Sequence, residues 1–337
     1  MPYFSELQEQ ENAFEVNFHT EYYSAMSKSG ARGKIFSGEK ICFILNIKMG
    51  HIYDRWMGTI DVNLRKTCVI LSTLSDTLRK KEIHWHKFLK LALEVPEAIN
   101  VTAVEGIGIY GGNSVLQVTG KLYLIQEHIA RETLDVRISV PFSRTEVMGH
   151  LIGILEGLEF IQSFGLLHPG LSTKKVLLTN KGICKLYDFC LSEDASNTVR
   201  IRKSWITCTL NQLPPEALLR DKYSKASDVW SVAVVIWEIL SCGILPFPNK
   251  KQSPGSERAV YSLPETWPTN YKIIRNEQLL KGWNEDTSLR PTIHQLKLSF
   301  SKSYEELDTY GPFNTSTNDV GSSYEHMKGL EKSTGDS

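Results

Sequence analysis

The sequence predicts an α+β protein of two lobes: a small antiparallel-sheet lobe with one helix, then a larger helical lobe. Three observations predict this. Short apolar runs broken by turn residues fill the stretch between Lys40 and Glu127. A 3.6-residue apolar period sets in after Ser143. The run Val229–Leu240 is apolar almost throughout, as a helix enclosed on all sides must be.

Taken in order, residues 1–38 are polar and without period, and SKSGARGK (27–34) has the composition of a flexible linker. Then ICFIL and TCVIL flank a glycine-containing stretch, the pattern of paired strands. Residues 77–93 set Leu78, Ile83, Phe88, Leu89 and Leu93 on a helix face. Strands return over 102–127, with IGIYGG as a hairpin entry and KLYLIQ as a buried strand. Ser143 with Glu146 forms a capping-box signature, followed by the periodic Val147, Leu151, Leu155, Leu158 and Ile161. Beyond Glu305 the chain is rich in Ser, Thr, Gly and Asn and is expected to be disordered. The division expected is therefore a flexible segment 1–38, a folded domain 39–303 (lobes 39–127 and 131–303), and a tail 304–337.

The bulk composition narrows the function. Across 337 residues, Lys+Arg and Asp+Glu number 38 each, so nothing favours a nucleic acid or a membrane surface. The six cysteines are scattered without a CxxC pair, which predicts free thiols in a reducing, cytoplasmic compartment. No signal-peptide pattern opens the chain, and Val229–Leu240 is too short to cross a bilayer. His84-Trp85-His86 is not expected to bind metal, because side chains at i and i+2 of a helix diverge.

The second half carries ordered motifs. LLHPGLSTKKVLL (166–178), KLYDFCLS, LPPEALL, KASDVWSVAVVIWEILSCGILPFP and Leu289-Arg290-Pro291-Thr292 follow one another. They resemble, in order and spacing, the catalytic loop, the Asp-Phe-Gly and Ala-Pro-Glu segments, the following helix and the late Arg-Pro-Thr of protein kinases. The form is that of the tyrosine-kinase group. The resemblance covers about 40–300 and implies the two-lobed protein-kinase-like fold. It assigns architectural roles to residues that are kept. Glu216 pairs with Arg290, Asp228 holds the catalytic-loop backbone, and His168 and Phe189 pack in the hydrophobic spine.

The residues it assigns to chemistry are mostly gone. Phosphoryl transfer needs positioning and charge stabilisation by a Gly-rich cover, a Lys held by a Glu, metal ligands and a base. The catalytic Asp falls on Gly170, which has no side chain to accept a proton. The metal-binding Asn falls on Lys175, whose ammonium cannot ligate a cation. The phosphate Lys falls on Leu71 and its Glu partner near Leu91, so a buried ion pair would become a Leu–Leu contact. In the nucleotide pocket only Gly50 of the glycine-rich pattern is left. Arg55 stands where a valine packs on adenine, Val69 lies on the next strand, and Gln126 guards the back. Asp188 remains, and is expected to be hydrogen-bonded to backbone amides, with a residual Mg²⁺ site as the alternative. Cys190, in place of the segment's Gly, is expected to be fixed, buried and inert.

The implied function is that of an inactive kinase domain, a pseudokinase scaffold or allosteric partner in tyrosine-kinase-type signalling. Neither cofactor nor metal is expected. The alternatives are a weak or atypical kinase using Asp188 with Lys66 or Lys175, and a nucleotide-binding module without turnover. Protein partners are expected, among them an active kinase or SH2-containing proteins docking on phosphorylated Tyr23, Tyr304 or Tyr324. Two of these tyrosines fit Tyr-x-x-Met. The run Arg200-Ile201-Arg202-Lys203 is expected in a solvated loop, with a phosphate or partner patch as the alternative.

Overall fold

A computed structural model describes residues 35–48, 52–62, 64–76, 83–110, 121–130, 132–140, 142–204, 210–247 and 273–308. Gly50, Tyr23 and Tyr324 lie outside these residues. Tyr304 falls on the last helix, but its side chain is not among those described. The described residues divide into two units: those up to Glu97 with Thr102–His128, and Ala98–Val101 with those from Ile129 onward.

The first unit is a six-stranded sheet with one helix. Its strands are β1 (Ile35–Ser37), β2 (Ile41–Lys48), β3 (Tyr53–Val62), β4 (Arg65–Leu74), β5 (Val104–Tyr110) and β6 (Lys121–Glu127), in the order β1-β5-β6-β4-β3-β2. All pairs are antiparallel except β1 with β5, where Ile35 lies opposite Ile107. The strand β1 falls in the segment that composition marks as flexible. Three residues are too few to show a period, yet Phe36 is buried in the sheet's core.

Along β4 the two-residue alternation puts Val69 and Leu71 on the core face, both fully buried among Phe36, Ile41, Ile60, Tyr123 and Ile125. Gly58 sits opposite Val69, and a Cβ there would lie 2.7 Å from Leu71 Cδ1 and 2.5 Å from the Cys42 carbonyl oxygen. The glycine thus makes the room that Leu71 fills. The helix α1 (Trp85–Glu94) buries Trp85, Phe88, Leu89 and Ala92, an i, i+3, i+4, i+7 face. Trp85 Nε1 donates to the Leu122 carbonyl at 3.3 Å, which ties the helix to the sheet.

The second unit holds α2 (Leu134–Arg137) and α3 (Arg144–Ser163), the short strands β7 (Leu166–Leu167), β8 (Val176–Leu178), β9 (Cys184–Leu186) and β10 (Cys190–Leu191), and the helices α4 (Ala195–Lys203), α5 (Pro215–Arg220), α6 (Lys225–Leu240), α7 (Leu280–Gly282) and α8 (Ile293–Asp308). Ser143 and Glu146 cap α3 reciprocally. From Ser227 to Leu240 every residue of α6 is buried. Glu159 of α3 holds His294 and Lys297 of α8. Among the described residues, no helix is long and apolar enough to cross a membrane.

Residues 98–101 cross α3 where it carries glycine. Asn100 Nδ2 donates to the Cys184 carbonyl at 3.0 Å, and Leu186 N donates back to the Asn100 carbonyl at 2.9 Å. A Cβ at Gly157 would lie 2.7 Å from that carbonyl oxygen, whereas one at Gly149 would meet nothing within 4 Å. The two glycines should therefore respond with opposite sign. Gly157→Ala is expected to cost about 1–3 kcal/mol from the forced backbone shift. Gly149→Ala is expected to gain up to about 1 kcal/mol from helix propensity. Urea denaturation of both variants beside the wild type checks this, and shifts of the same sign would refute it.

Candidate functional site

The centre of the second unit is a buried carboxylate. Asp228, near the start of α6, has no exposed surface. Its Oδ2 accepts from Gln162 Nε2 at 2.9 Å, and its Oδ1 accepts from the His168 backbone N–H at 3.1 Å and the Tyr223 hydroxyl at 2.9 Å. Burial pushes its carboxyl up to about 6, against the pull of these hydrogen bonds. The Tyr223 hydroxyl also lies 3.1 Å from the His168 carbonyl oxygen, so the loop that begins at His168 is gripped from two sides.

A second tie fixes the chain further on. Glu216 of α5 and Arg290 meet through two parallel hydrogen bonds, Nη1–Oε1 at 2.7 Å and Nη2–Oε2 at 2.9 Å. Ser227 Oγ donates to the same carboxylate at 2.7 Å, and the guanidinium lies over the Trp230 ring at 5.1 Å. Burial works to raise the Glu216 pKa, but the hydrogen bonds from Arg290 and Ser227 hold it below the usual carboxylate range.

Between these ties lies the loop that should carry chemistry. Gly170 has φ +91°, in the left-handed region, and a Cβ built on it would lie 2.8 Å from Arg202 Nη1. The guanidinium of Arg202 thus takes the space of a side chain at residue 170. Its Nη2 reaches Asp188 Oδ2 at 2.8 Å, and the Lys175 ammonium pairs with the same oxygen. Asp188 itself has φ +72°, which aspartate tolerates better than most residues. Its side chain is 1% exposed.

Asp188 thus has two side-chain partners, Lys175 and Arg202, that the sequence reading did not name for it. One expectation is corrected. The basic run at 200–203 is not a solvated loop: it is the end of helix α4, and two of its cations turn inward. Lys203 Nζ donates to the Ala217 carbonyl at 3.0 Å and the Leu218 carbonyl at 2.6 Å, at the C-terminal end of α5, and meets Asp221 at 2.6 Å. Ala195 and Val199, on the same face of α4 as Arg202 by their i, i+4, i+7 spacing, are buried with Leu167, Cys190, Ala217 and Tyr223.

Cys190 pairs with Leu167 between β10 and β7 and is 2% exposed, and burial pushes its thiol up to about 12. Phe189 is buried. Leu71 lies in the sheet core, but Leu91 is only partly buried and is not among the side chains clustered around it. Gln126 is buried and donates to Thr102 Oγ1 at 2.8 Å. Arg55 is partly buried with its guanidinium 5.3 Å from the centre of the Tyr53 ring, and Lys66 is exposed on β4. Arg202, Lys203, Gln162 and Tyr223 escaped the sequence reading. Only the basic run marked the first two, and nothing in the sequence paired Arg202 with Gly170.

Asp188 stands where the two-lobed fold implies a divalent metal. Mg²⁺ seeks six oxygen ligands in near-octahedral geometry. The two side chains on Asp188 are donors only and cannot ligate it. The residues do not fit the ion. Among the described residues, no group of three or more His, Cys, Asp or Glu side chains is placed to hold a metal ion.

His168 lies against this cluster with no exposed surface, and neither ring nitrogen has a hydrogen-bond partner among the described residues. Burial, the largest cause, pulls its pKa down to about 4; Arg202 and Lys175 add to this and Asp188 opposes it. A base with a depressed folded pKa stabilises the fold above its ordinary 6.5, and that stability is lost as pH falls through about 4. His168→Leu is expected to remove this term. Between those pH values the wild type should lose up to about 1.4 kcal/mol per pH unit more than the variant. Parallel stability curves in pH-stepped denaturation would refute the assignment.

The comparisons with known proteins agree with this architecture. The profile described as protein tyrosine and serine/threonine kinase matches residues 50–300, well over half of the chain. The chain is 26% identical over 167 residues to ephrin type-B receptor 3 of Danio rerio, covering 48% of this chain and 33% of the receptor. It is 28% identical over 208 residues to ephrin type-A receptor 8 of Homo sapiens, covering 58% and 19%. It is 27% identical over 194 residues to platelet-derived growth factor receptor beta of Canis lupus familiaris, covering 54% and 17%. The match thus spans a third or less of the length of these relatives. With a sheet-rich first unit, a helical second unit and the matching profile, the chain belongs to the protein tyrosine and serine/threonine kinase family.

Proposed function

We propose that this chain is a catalytically inactive kinase domain that acts as a scaffold or allosteric partner in cytoplasmic tyrosine-kinase-type signalling. The observation that carries the reading is the state of residue 170. A glycine there provides no base, and the space for one is taken by Arg202. The replacement of the phosphate-binding Lys by a fully buried Leu71 supports it. So does the involvement of Asp188 with two cations. The machinery for holding the fold, by contrast, is intact around Asp228, Glu216 and Arg290.

Work then falls to surfaces. The partners in this reading are an active tyrosine kinase, or SH2-containing proteins that bind Tyr23, Tyr304 or Tyr324 after another kinase has phosphorylated them.

Phosphotransfer by the purified chain onto a mixed tyrosine and serine/threonine substrate, with Mg²⁺ and with Mn²⁺, should stay at background, where active kinases turn over at about 1–100 s⁻¹. Transfer that disappears in Asp188→Asn would overturn the reading. The docking arm has its own test. Phosphorylated peptides centred on Tyr23 and Tyr324 should bind an SH2 domain selective for Tyr-x-x-Met at least tenfold more tightly than the unphosphorylated peptides. Equal binding of the two forms would remove these tyrosines from the proposal.

A further inference from the structure

The second unit holds a feature that inactivity alone does not require. A carboxylate left behind after loss of catalysis could simply turn to water. Asp188 does not: its side chain is almost wholly buried and is met by two cations from different parts of the chain. Lys175 comes from the turn that follows the catalytic-loop position, and Arg202 comes from the last turn of α4. Their formal charge equals that of one divalent ion.

We propose that Lys175 and Arg202 are a built-in substitute for the divalent metal, and that Arg202, in serving as one, locks α4 as a fixed lid over Gly170. The proposal rests on the reading of this chain as an inactive kinase domain and adds the device that keeps α4 in place.

The geometry supports each part. Arg202 satisfies two positions at once: its Nη2 pairs with Asp188, and its Nη1 takes the space of the missing side chain at 170. It can do so only because residue 170 is glycine. The next residue, Lys203, anchors the same helix end to the Ala217 and Leu218 carbonyls of α5 and to Asp221. At the other end, Ser196 Oγ accepts from the Tyr223 backbone N–H at 3.0 Å. Ala195, Thr198 and Val199 are buried between these ties. The helix is therefore held at both ends and along one face, and a metal ion could reach Asp188 only by displacing Arg202 and Lys175.

The test uses the full chain and Mn²⁺ alone. Mn²⁺ binding is read by electron paramagnetic resonance, and the freedom of α4 by amide hydrogen exchange over residues 195–203. The wild type should leave millimolar Mn²⁺ free in solution. The double variant Lys175→Asn/Arg202→Gln removes both cations and supplies an amide oxygen, so it should bind Mn²⁺. Adding Asp188→Asn should abolish that binding. Arg202→Gln alone should speed exchange in α4 at least tenfold, while Arg200→Gln, at an exposed position of the same helix, should not.

Mn²⁺ bound by the wild type and lost in Asp188→Asn would overturn the substitution. So would failure of the folded double variant to bind. If the double variant does not fold, Arg202→Gln alone decides: unchanged exchange in α4 overturns the lid. Phosphotransfer by the wild type would sink the inactive-kinase reading instead, so the two failures are distinguishable.

Discussion

The second unit is organised around a charge that burial disfavours. Asp228 sits without solvent on the most enclosed of the described helices, and its carboxyl is pushed up to about 6 as a result. It is kept charged near neutrality by Gln162, the His168 amide and Tyr223. Hydrogen bonds to a charged group contribute roughly 1.5–3 kcal/mol each. The consequence is positional. Because His168 is held through its backbone, the residues after it are placed whatever their side chains are. Gly170 and Lys175 therefore occupy defined places in the loop without an aspartate at residue 170 to direct its course.

On the reading proposed above, this domain departs from the catalytic pattern by two routes. In the first unit, Leu71 joins an apolar cluster, with Gly58 providing the volume. Replacing a buried ion by a well-packed hydrophobe can be neutral or stabilising. In the second unit the carboxylate stays and acquires new partners, since stripping one member from a buried pair costs about 3–5 kcal/mol. The first route removes the charge. The second neutralises it with side chains where an active enzyme would use an ion.

The fold was legible because its signals are redundant: the enclosed helix Val229–Leu240, the capping box at Ser143 and the ordered motifs from His168 to Arg290 point the same way. What was legible of the site was mainly absence, since a glycine or leucine at an assigned position can be read without a structure. The replacements were harder. The stretch SEDASNTVRIRK is polar and shows no sustained period, and α4 within it is held by Ala195, Val199 and the long-range ties of Arg202 and Lys203. No pattern in a linear sequence pairs residue 202 with residue 170. The strand β1 was missed because three residues cannot declare a period. On α1 the packed face runs through Trp85, Phe88, Leu89 and Ala92, which leaves Leu91 to one side.

The interlock of Gly170 and Arg202 also makes the two positions interdependent. An aspartate introduced at residue 170 would place its Cβ 2.8 Å from the Arg202 guanidinium and strain the backbone at φ +91°. An Arg202 that left first would strip Asp188 of a partner while residue 170 still offered nothing to catalysis. Neither single step is an improvement, and both would have to be accompanied by changes at Lys175 and Leu71. On the reading proposed above, no single substitution at residue 170 or 202 supplies a base. The two positions act as one unit, and a change at either has to be matched by a change at the other.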